Sequence, residues 1–255
     1  MGRVIAVANQ KGGVGKTTTS VNLSASLQAT RRKILLIDID PQGNATMGSG
    51  VDKNSLDNSL TELLLGESEF ADAKVCSNSG YDLLPSNSDL TAAEVKLLSL
   101  DNHERKLSKM LFPHINDYDF IIIDCPPTLN VLTLNALVAA DSILIPMQCE
   151  YYALEGLSGL LNTVEQINKT VNPKLQIEGI LRTMYDGRNR LSIEVSTQLL
   201  EHFGDKVYRA VIPRNVRLAE APSYGMSALH YDKKSQGAIA YLTLAGELLR
   251  KHDIS

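Results

Sequence analysis

The chain has 255 residues, 44% of them hydrophobic, and carries 25 Lys and Arg against 29 Asp and Glu for a net charge of −4. That length and apolar content support the full core of one large α/β domain over residues 1–255. Three cysteines (Cys76, Cys125, Cys149) without paired spacing argue against a disulfide framework or a zinc site, and no stretch approaches the ~18 apolar residues of a membrane span.

The first predicted element is the strand Val4-Ile5-Ala6-Val7-Ala8, so close to the start that a secretory leader is not expected. With Ala6 making the Met-Gly start a poor myristoylation match, the reading is a cytoplasmic protein. The strand feeds Asn9-Gln-Lys-Gly-Gly-Val-Gly-Lys-Thr-Thr18, and a helix follows over about 17–29. A strand, a glycine loop and a helix start make a phosphate trap, because backbone N–H groups and the positive helix end converge on an anion. Gly12, Gly13, Val14 and Gly15 form the cradle and Thr18 follows it. Lys16 reaches the β/γ-phosphates, and the Thr17 hydroxyl holds Mg²⁺. The loop departs from G-x-x-x-x-G-K-[ST] in having Gln10 for the first glycine, and it adds Lys11. Lys11 sits too early to share the phosphates of Lys16 without crowding. It is placed either to cross into a facing nucleotide site, as an arginine finger does in trans, or to lie solvated at the rim.

Next come a buried strand over 33–38, a Gly- and Asn-rich loop over 39–51, and a capping box, Ser59-Leu-Thr-Glu62, opening a short helix. A strand over 81–84 and one or two helices over 90–111 precede Phe120-Ile-Ile-Ile-Asp124, all apolar before its acid, as a strand covered on both faces should be. A helix over 129–140 and a strand over 142–147 follow, then a helical stripe of Leu154, Leu157, Leu161, Val164 and Ile167. A strand over 175–183, a helix near 191–203, a strand near 207–212 and a closing helix from about Gly237 end the pattern. Strands alternating with amphipathic helices predict a single-domain, doubly wound, mostly parallel α/β sheet with helices on both faces.

Open parallel sheets place ligands at the carboxyl ends of strands, where Asp38, Asp40 and Asp124 fall. Asp124 suits a Walker-B type role on the metal or its waters. Asp40, on a loop, suits positioning of the attacking water, and Asp38 could do either or brace the loop. No Asn-Lys-x-Asp guanine signature is present, since Asn168-Lys169 continues as Thr170-Val171, so ATP is favoured over GTP. Charge is uneven: residues 1–181 hold 14 Lys and Arg against 21 Asp and Glu, whereas residues 182–255 hold 11 against 8. A basic face in the C-terminal part is the expectation.

Taken together, the Lys11–Thr18 loop, Asp38-Ile-Asp-Pro-Gln-Gly-Asn44, Ile-Ile-Ile-Asp124-Cys-Pro-Pro127, Gln148-Cys-Glu-Tyr-Tyr-Ala-Leu-Glu-Gly156 and Val211-Ile-Pro-Arg-Asn-Val-Arg217 resemble the ParA/Soj family of partitioning ATPases, within the wider ParA–MinD group of deviant Walker A proteins. The resemblance runs from residue 4 to about 240. It implies a P-loop NTPase that hydrolyses ATP with Mg²⁺ and forms a homodimer sandwiching the nucleotides. In that dimer Lys11 contacts the other subunit's phosphates and Gly12 lies at the close approach. It implies that hydrolysis requires Asp40 and that adenine meets Pro213 and Asn215, with Met184 beside them. Non-specific binding to double-stranded DNA through the C-terminal cations is also implied: Arg188 and Arg217 first, then Arg190, Lys233 and Lys234. The partner is a ParB-type centromere-binding protein that stimulates hydrolysis, and the location is the cytoplasm, on the nucleoid. Members of the group also affect replication initiation in some bacteria. A MinD-like membrane cycle would need a basic amphipathic tail, and residues 240–255 offer only Arg250 and Lys251 as cations. A membrane-targeting tail is therefore not expected, and because no helix-turn-helix segment precedes residue 4, neither is an operator-binding domain.

Overall fold

A strand covered on both faces has no polar side to alternate with, so its apolar residues divide between two cores. The computed structural model describes residues 2–252. In chain order the strands and α-helices are β1 (Arg3–Val7), α1 (Lys16–Gln28), β2 (Ile34–Asp38), α2 (Asn44–Gly48), α3 (Leu60–Leu65), α4 (Phe70–Ala73), β3 (Val75–Cys76), β4 (Asp82–Leu84), α5 (Leu90–Leu98) and α6 (Lys106–Leu111). The second half continues with β5 (Phe120–Asp124), α7 (Val131–Ala139), β6 (Ser142–Gln148), α8 (Ala153–Thr170), β7 (Gln176–Tyr185), α9 (Arg190–Phe203), β8 (Val207–Pro213), α10 (Val216–Glu220), α11 (Ala228–Tyr231) and α12 (Gln236–Lys251).

The strands form one sheet in the order β3-β4-β2-β5-β1-β6-β7-β8. Every pairing is parallel except β3 with β4. This is the doubly wound, mostly parallel sheet expected from the sequence. Val4, Ala6, Leu35, Ile37, Ile121 and Ile123 face a core built with α3 and α5 to α9, while Ile5, Val7, Ile34, Leu36, Phe120 and Ile122 face one built with α1 and α12. Register matters for the chemistry. Val7 of β1 and Asp38 of β2 both stand opposite Asp124 of β5, so three strand ends reach one level.

The capping box forms as read: Ser59 N donates to Glu62 Oε2 (2.7 Å) and Thr61 N donates to Ser59 Oγ (3.1 Å). Two expectations need correction. The loop over 39–51 contains α2, which starts after Gly43 at φ 61 and is tied down by the side chain of Asp38. The stripe on α8 is centred on Ala153, Leu157, Leu160, Val164 and Ile167, and Leu154 and Leu161 are only half-buried beside it. The short elements α4, β3, α10 and α11 carry no distinct pattern in the sequence. The closing helix buries Tyr241, Leu244, Ala245 and Leu248 against the sheet. Among the described residues no helix is long and apolar enough to cross a membrane; residues 253–255 of the tail considered above lie outside the described part.

Candidate functional site

The loop after β1 needs backbone that only glycine adopts without strain: Gly13 sits at φ 73, and Gly15 at φ 88 directly precedes α1. No side chain caps α1, which leaves its first-turn N–H groups turned to the loop. Val14 is buried, and its carbonyl accepts a hydrogen bond from Thr183 Oγ1 (2.7 Å) at the end of β7, fixing the loop to the sheet.

The two lysines have different fates. Lys16 is 7% exposed and donates to the Lys11 carbonyl (3.1 Å). Burial lowers its pKa, against the pull of the nearby Asp124 carboxylate. Lys11 is exposed at the rim, and its Nζ pairs with Glu150 Oε2 at 2.5 Å, both side chains being a little under half exposed. Glu150 follows β6, 139 residues away in sequence, and although it stands within the Gln148–Gly156 segment, no local pattern pairs it with Lys11.

Asp124 is fully buried and accepts from Thr17 Oγ1 (2.8 Å) and Ser20 Oγ (2.7 Å). Burial, and then the adjacent Asp38, push its pKa well above the carboxylate range. Burial likewise raises Asp38, against hydrogen bonds that hold it down. Asp38 Oδ1 accepts from Asp40 N (3.2 Å), and Oδ2 accepts from both Thr46 N and Thr46 Oγ1 (each 2.8 Å). Of the roles open to Asp38, these bonds describe the loop brace. Two buried carboxylates beside a threonine hydroxyl are hard oxygen donors short of positive charge, which fits a Mg²⁺ carried in with phosphates. Among the described residues no group of three or more His, Cys, Asp or Glu could hold a metal ion alone. Asp40, 8% exposed, accepts from Gln42 N at Oδ1 (2.9 Å).

Beside the loop a cavity of about 240 Å³ is lined by Gly15, Thr18, Met184, Pro213, Asn215 and Tyr241, among others. Met184 adopts φ 48, a left-handed conformation that costs roughly 1–2 kcal/mol outside glycine. Such strain is concentrated at ligand sites. Asn215 Oδ1 caps α10 by accepting from Arg217 N (3.1 Å), which orients its amide. Larger concavities, about 830 and 650 Å³, open near Arg31, Lys33 and Tyr118, at the amino ends of the strands and away from this chemistry.

The sequence-predicted DNA contacts are placed on the surface but largely paired. Arg188 forks onto Asp186 with two 3.0 Å bonds, Arg190 pairs with Glu194 (2.9 Å), and Arg217 pairs with Glu220 (2.7 Å) and Asp232 (3.5 Å). Lys233 and Lys234 are exposed and form no ion pair among the described residues.

A family model described as an AAA domain matches residues 2–177. The chain is 50% identical over 249 residues to the sporulation initiation inhibitor protein Soj of Bacillus subtilis, covering 97% of this chain and 98% of that protein. It is 47% identical over 252 residues to the chromosome partitioning protein ParA of Caulobacter vibrioides, covering 98% and 94%. Among solved structures it is similar to a cobyrinic acid a,c-diamide synthase of Mycobacterium smegmatis with bound ATP analogue and magnesium. There the TM-score is 0.88 at 40% identity, covering 99% of this chain and 96% of that one.

Proposed function

The chain belongs to the ParA/Soj family of chromosome-partitioning ATPases, and from that premise we propose that it is a Mg²⁺-dependent ATP hydrolase whose ATP-bound dimer binds DNA without sequence preference. The observation that carries this reading is the separation of the two lysines. Lys16 is buried and committed to its own loop, whereas Lys11 stands at the rim and is held by a single exposed carboxylate. An exposed ion pair of this kind contributes only about 0.2–1 kcal/mol. A partner's nucleotide phosphates, carrying more negative charge than Glu150, can therefore draw Lys11 across.

The residues divide the work. The loop from Gly12 to Thr18, with Lys16, binds the phosphates, and the cavity bounded by Met184, Pro213 and Asn215 takes the adenine. Thr17 and Asp124 hold Mg²⁺, which when bound neutralises phosphate charge. Asp40 orients the attacking water. Each copy contributes its C-terminal cations, Arg188, Arg190, Arg217, Lys233 and Lys234. Because DNA affinity scales steeply with the number of phosphates neutralised, pairing two copies converts nucleotide state into DNA binding. Hydrolysis removes the γ-phosphates that bridge the copies and releases the DNA. A ParB-type centromere-binding protein that accelerates hydrolysis completes a partitioning cycle on the nucleoid; control of replication initiation is a further role within the same family reading.

The test is binding to unrelated DNA sequences with ATP, ADP or no nucleotide across a salt series. Binding with ATP alone, lost steeply as salt rises, is expected, and Asp40→Ala should persist as a DNA-bound dimer. Equal binding in all three nucleotide states, or rapid turnover by Asp40→Ala, overturns the reading.

A further inference from the structure

We propose that Ser86 is a positioning residue for ATP hydrolysis, acting through Asp40. The inference rests on the reading of Asp40 as the group that orients water. Ser86 lies two residues beyond β4 and is fully buried. Its Oγ donates to the Asp40 carbonyl (2.8 Å), and its N–H donates to Thr46 Oγ1 (2.9 Å). Thr46 in turn donates from both N and Oγ1 to Asp38 Oδ2, and Asp38 Oδ1 receives the Asp40 N–H. The chain of bonds closes on itself, with Asp40 held by its N–H from one side and by its carbonyl from the other.

What remains adjustable on Asp40 is its carboxylate. Oδ1 is taken by Gln42 N, and Oδ2 has no hydrogen-bond or ion-pair partner among the described residues. The peptide planes on either side of Asp40 set its Cα–Cβ direction, Ser86 holds one of them, and the Gln42 N–H restrains the carboxylate that the Cβ carries. The contact is close as well as polar: a Cβ built on Gly43 would lie 2.7 Å from the Ser86 carbonyl oxygen. The turn at 40–43 therefore packs directly on the backbone of Ser86. Gly43 N also donates to the Asp40 carbonyl (2.9 Å), so loss of the serine hydroxyl would leave that oxygen satisfied and the turn closed. The hydroxyl supplies orientation beyond what folding of the turn demands. A misplacement of about 1 Å at a reacting centre can cost 10²-fold in rate, so a partial loss of orientation should be visible in turnover.

The experiment is single-turnover ATP hydrolysis by wild type, Ser86→Ala and Asp40→Ala, with ATP affinity, ATP-dependent dimerisation and melting temperature measured on each. For Ser86→Ala the expected result is a rate lowered about tenfold or more, with ATP affinity within about twofold and the ATP-bound dimer retained. A rate within twofold of wild type overturns the inference. So does a parallel fall of rate, ATP affinity and melting temperature, which would make the hydroxyl a support of the fold alone. If Ser86→Ala does not fold, Thr46→Val, which strips the acceptor of the Ser86 N–H, is read against Thr46→Ser, which keeps it. Slow turnover in the valine variant only is expected, and equal rates in the two overturn the inference. Asp40→Ala separates the two levels: if it still hydrolyses ATP at the wild-type rate, the reading of Asp40 fails first.

Discussion

At the scale of single residues, two adjacent glycines make different demands. Gly13 at φ 73 needs the left-handed region, although a Cβ there would meet nothing within 4 Å. Gly13→Ala should therefore cost roughly 1–2 kcal/mol through backbone strain and lower the melting temperature by roughly 2–8 °C. Gly12 has neither constraint. Its φ lies outside the left-handed region, and a Cβ would again meet nothing within 4 Å. Nothing in the single chain requires glycine at position 12, whereas the proposed dimer places the facing subunit close to it. Gly12→Val should fold and melt as wild type does, within about 2 °C on the same scale, and should bind ATP. On the proposed dimer it should fail to pair with a second copy, because the new side chain would occupy the close approach. Light scattering at saturating ATP checks this, and a dimer of normal affinity would place the facing subunit elsewhere.

At the scale of elements, the end of α12 is fastened to the sheet by a buried charge cluster. Glu178 on β7 is 2% exposed and accepts from Ser142 on β6 (2.6 Å), Tyr208 on β8 (3.2 Å) and His252 just past α12 (3.1 Å), with Lys251 Nζ at 3.1 Å. Burial alone would raise the Glu178 carboxyl. The hydrogen bonds from His252 and Ser142 and the charges of His252 and Lys251 instead hold it near about 2, below its ordinary 4.5. A carboxyl depressed on folding stabilises the protein above its unfolded value, and that stabilisation is lost as pH falls from about 4.5 towards 2. Glu178→Gln should be less stable at neutral pH by on the order of 3 kcal/mol. It should also lack that acid-dependent loss, which urea unfolding at pH 7 and pH 3 would reveal. No part of this latch could be read from the sequence, because its members lie on four separate segments. The core strands could be read because runs of at least four apolar residues, such as Ile34–Ile37 and Phe120–Ile123, suit a short strand with two covered faces. The short elements could not, since tertiary bonds hold them: α2 by Asp38, and α11 by Asn22, whose Oδ1 accepts from Ala228 N (2.8 Å). The same division runs through the site. The glycine loop, Lys16, Thr17 and the strand-end acids are local patterns, whereas Glu150 and Ser86 reach Lys11 and Asp40 only through the fold.

At the scale of the whole molecule, the proposed function asks a chain of net charge −4 to bind a polyanion, and the surplus of cations in its last third is small. The structure reduces that surplus further by pairing. Arg188 lies on Asp186, whose carboxyl its hydrogen bonds and charge, with Arg214 nearby, hold down at about 2. Arg190 and Arg217 are likewise engaged by Glu194, Glu220 and Asp232. Each of these exposed pairs is individually weak, so DNA phosphates can compete for the arginines, but an arginine shared with a carboxylate displaces fewer counterions than a free one. Asp186→Asn should free Arg188 and remove a repelling charge. For the ATP-bound dimer, the slope of log affinity against log salt should steepen by up to about 0.9 for each copy that gains a phosphate contact. Arg188→Ala should move the slope the other way, with ATP turnover unchanged in both variants because neither residue touches the nucleotide loop. If both variants keep the wild-type slope, Arg188 makes no phosphate contact, and Lys233 and Lys234 become the cations to test next.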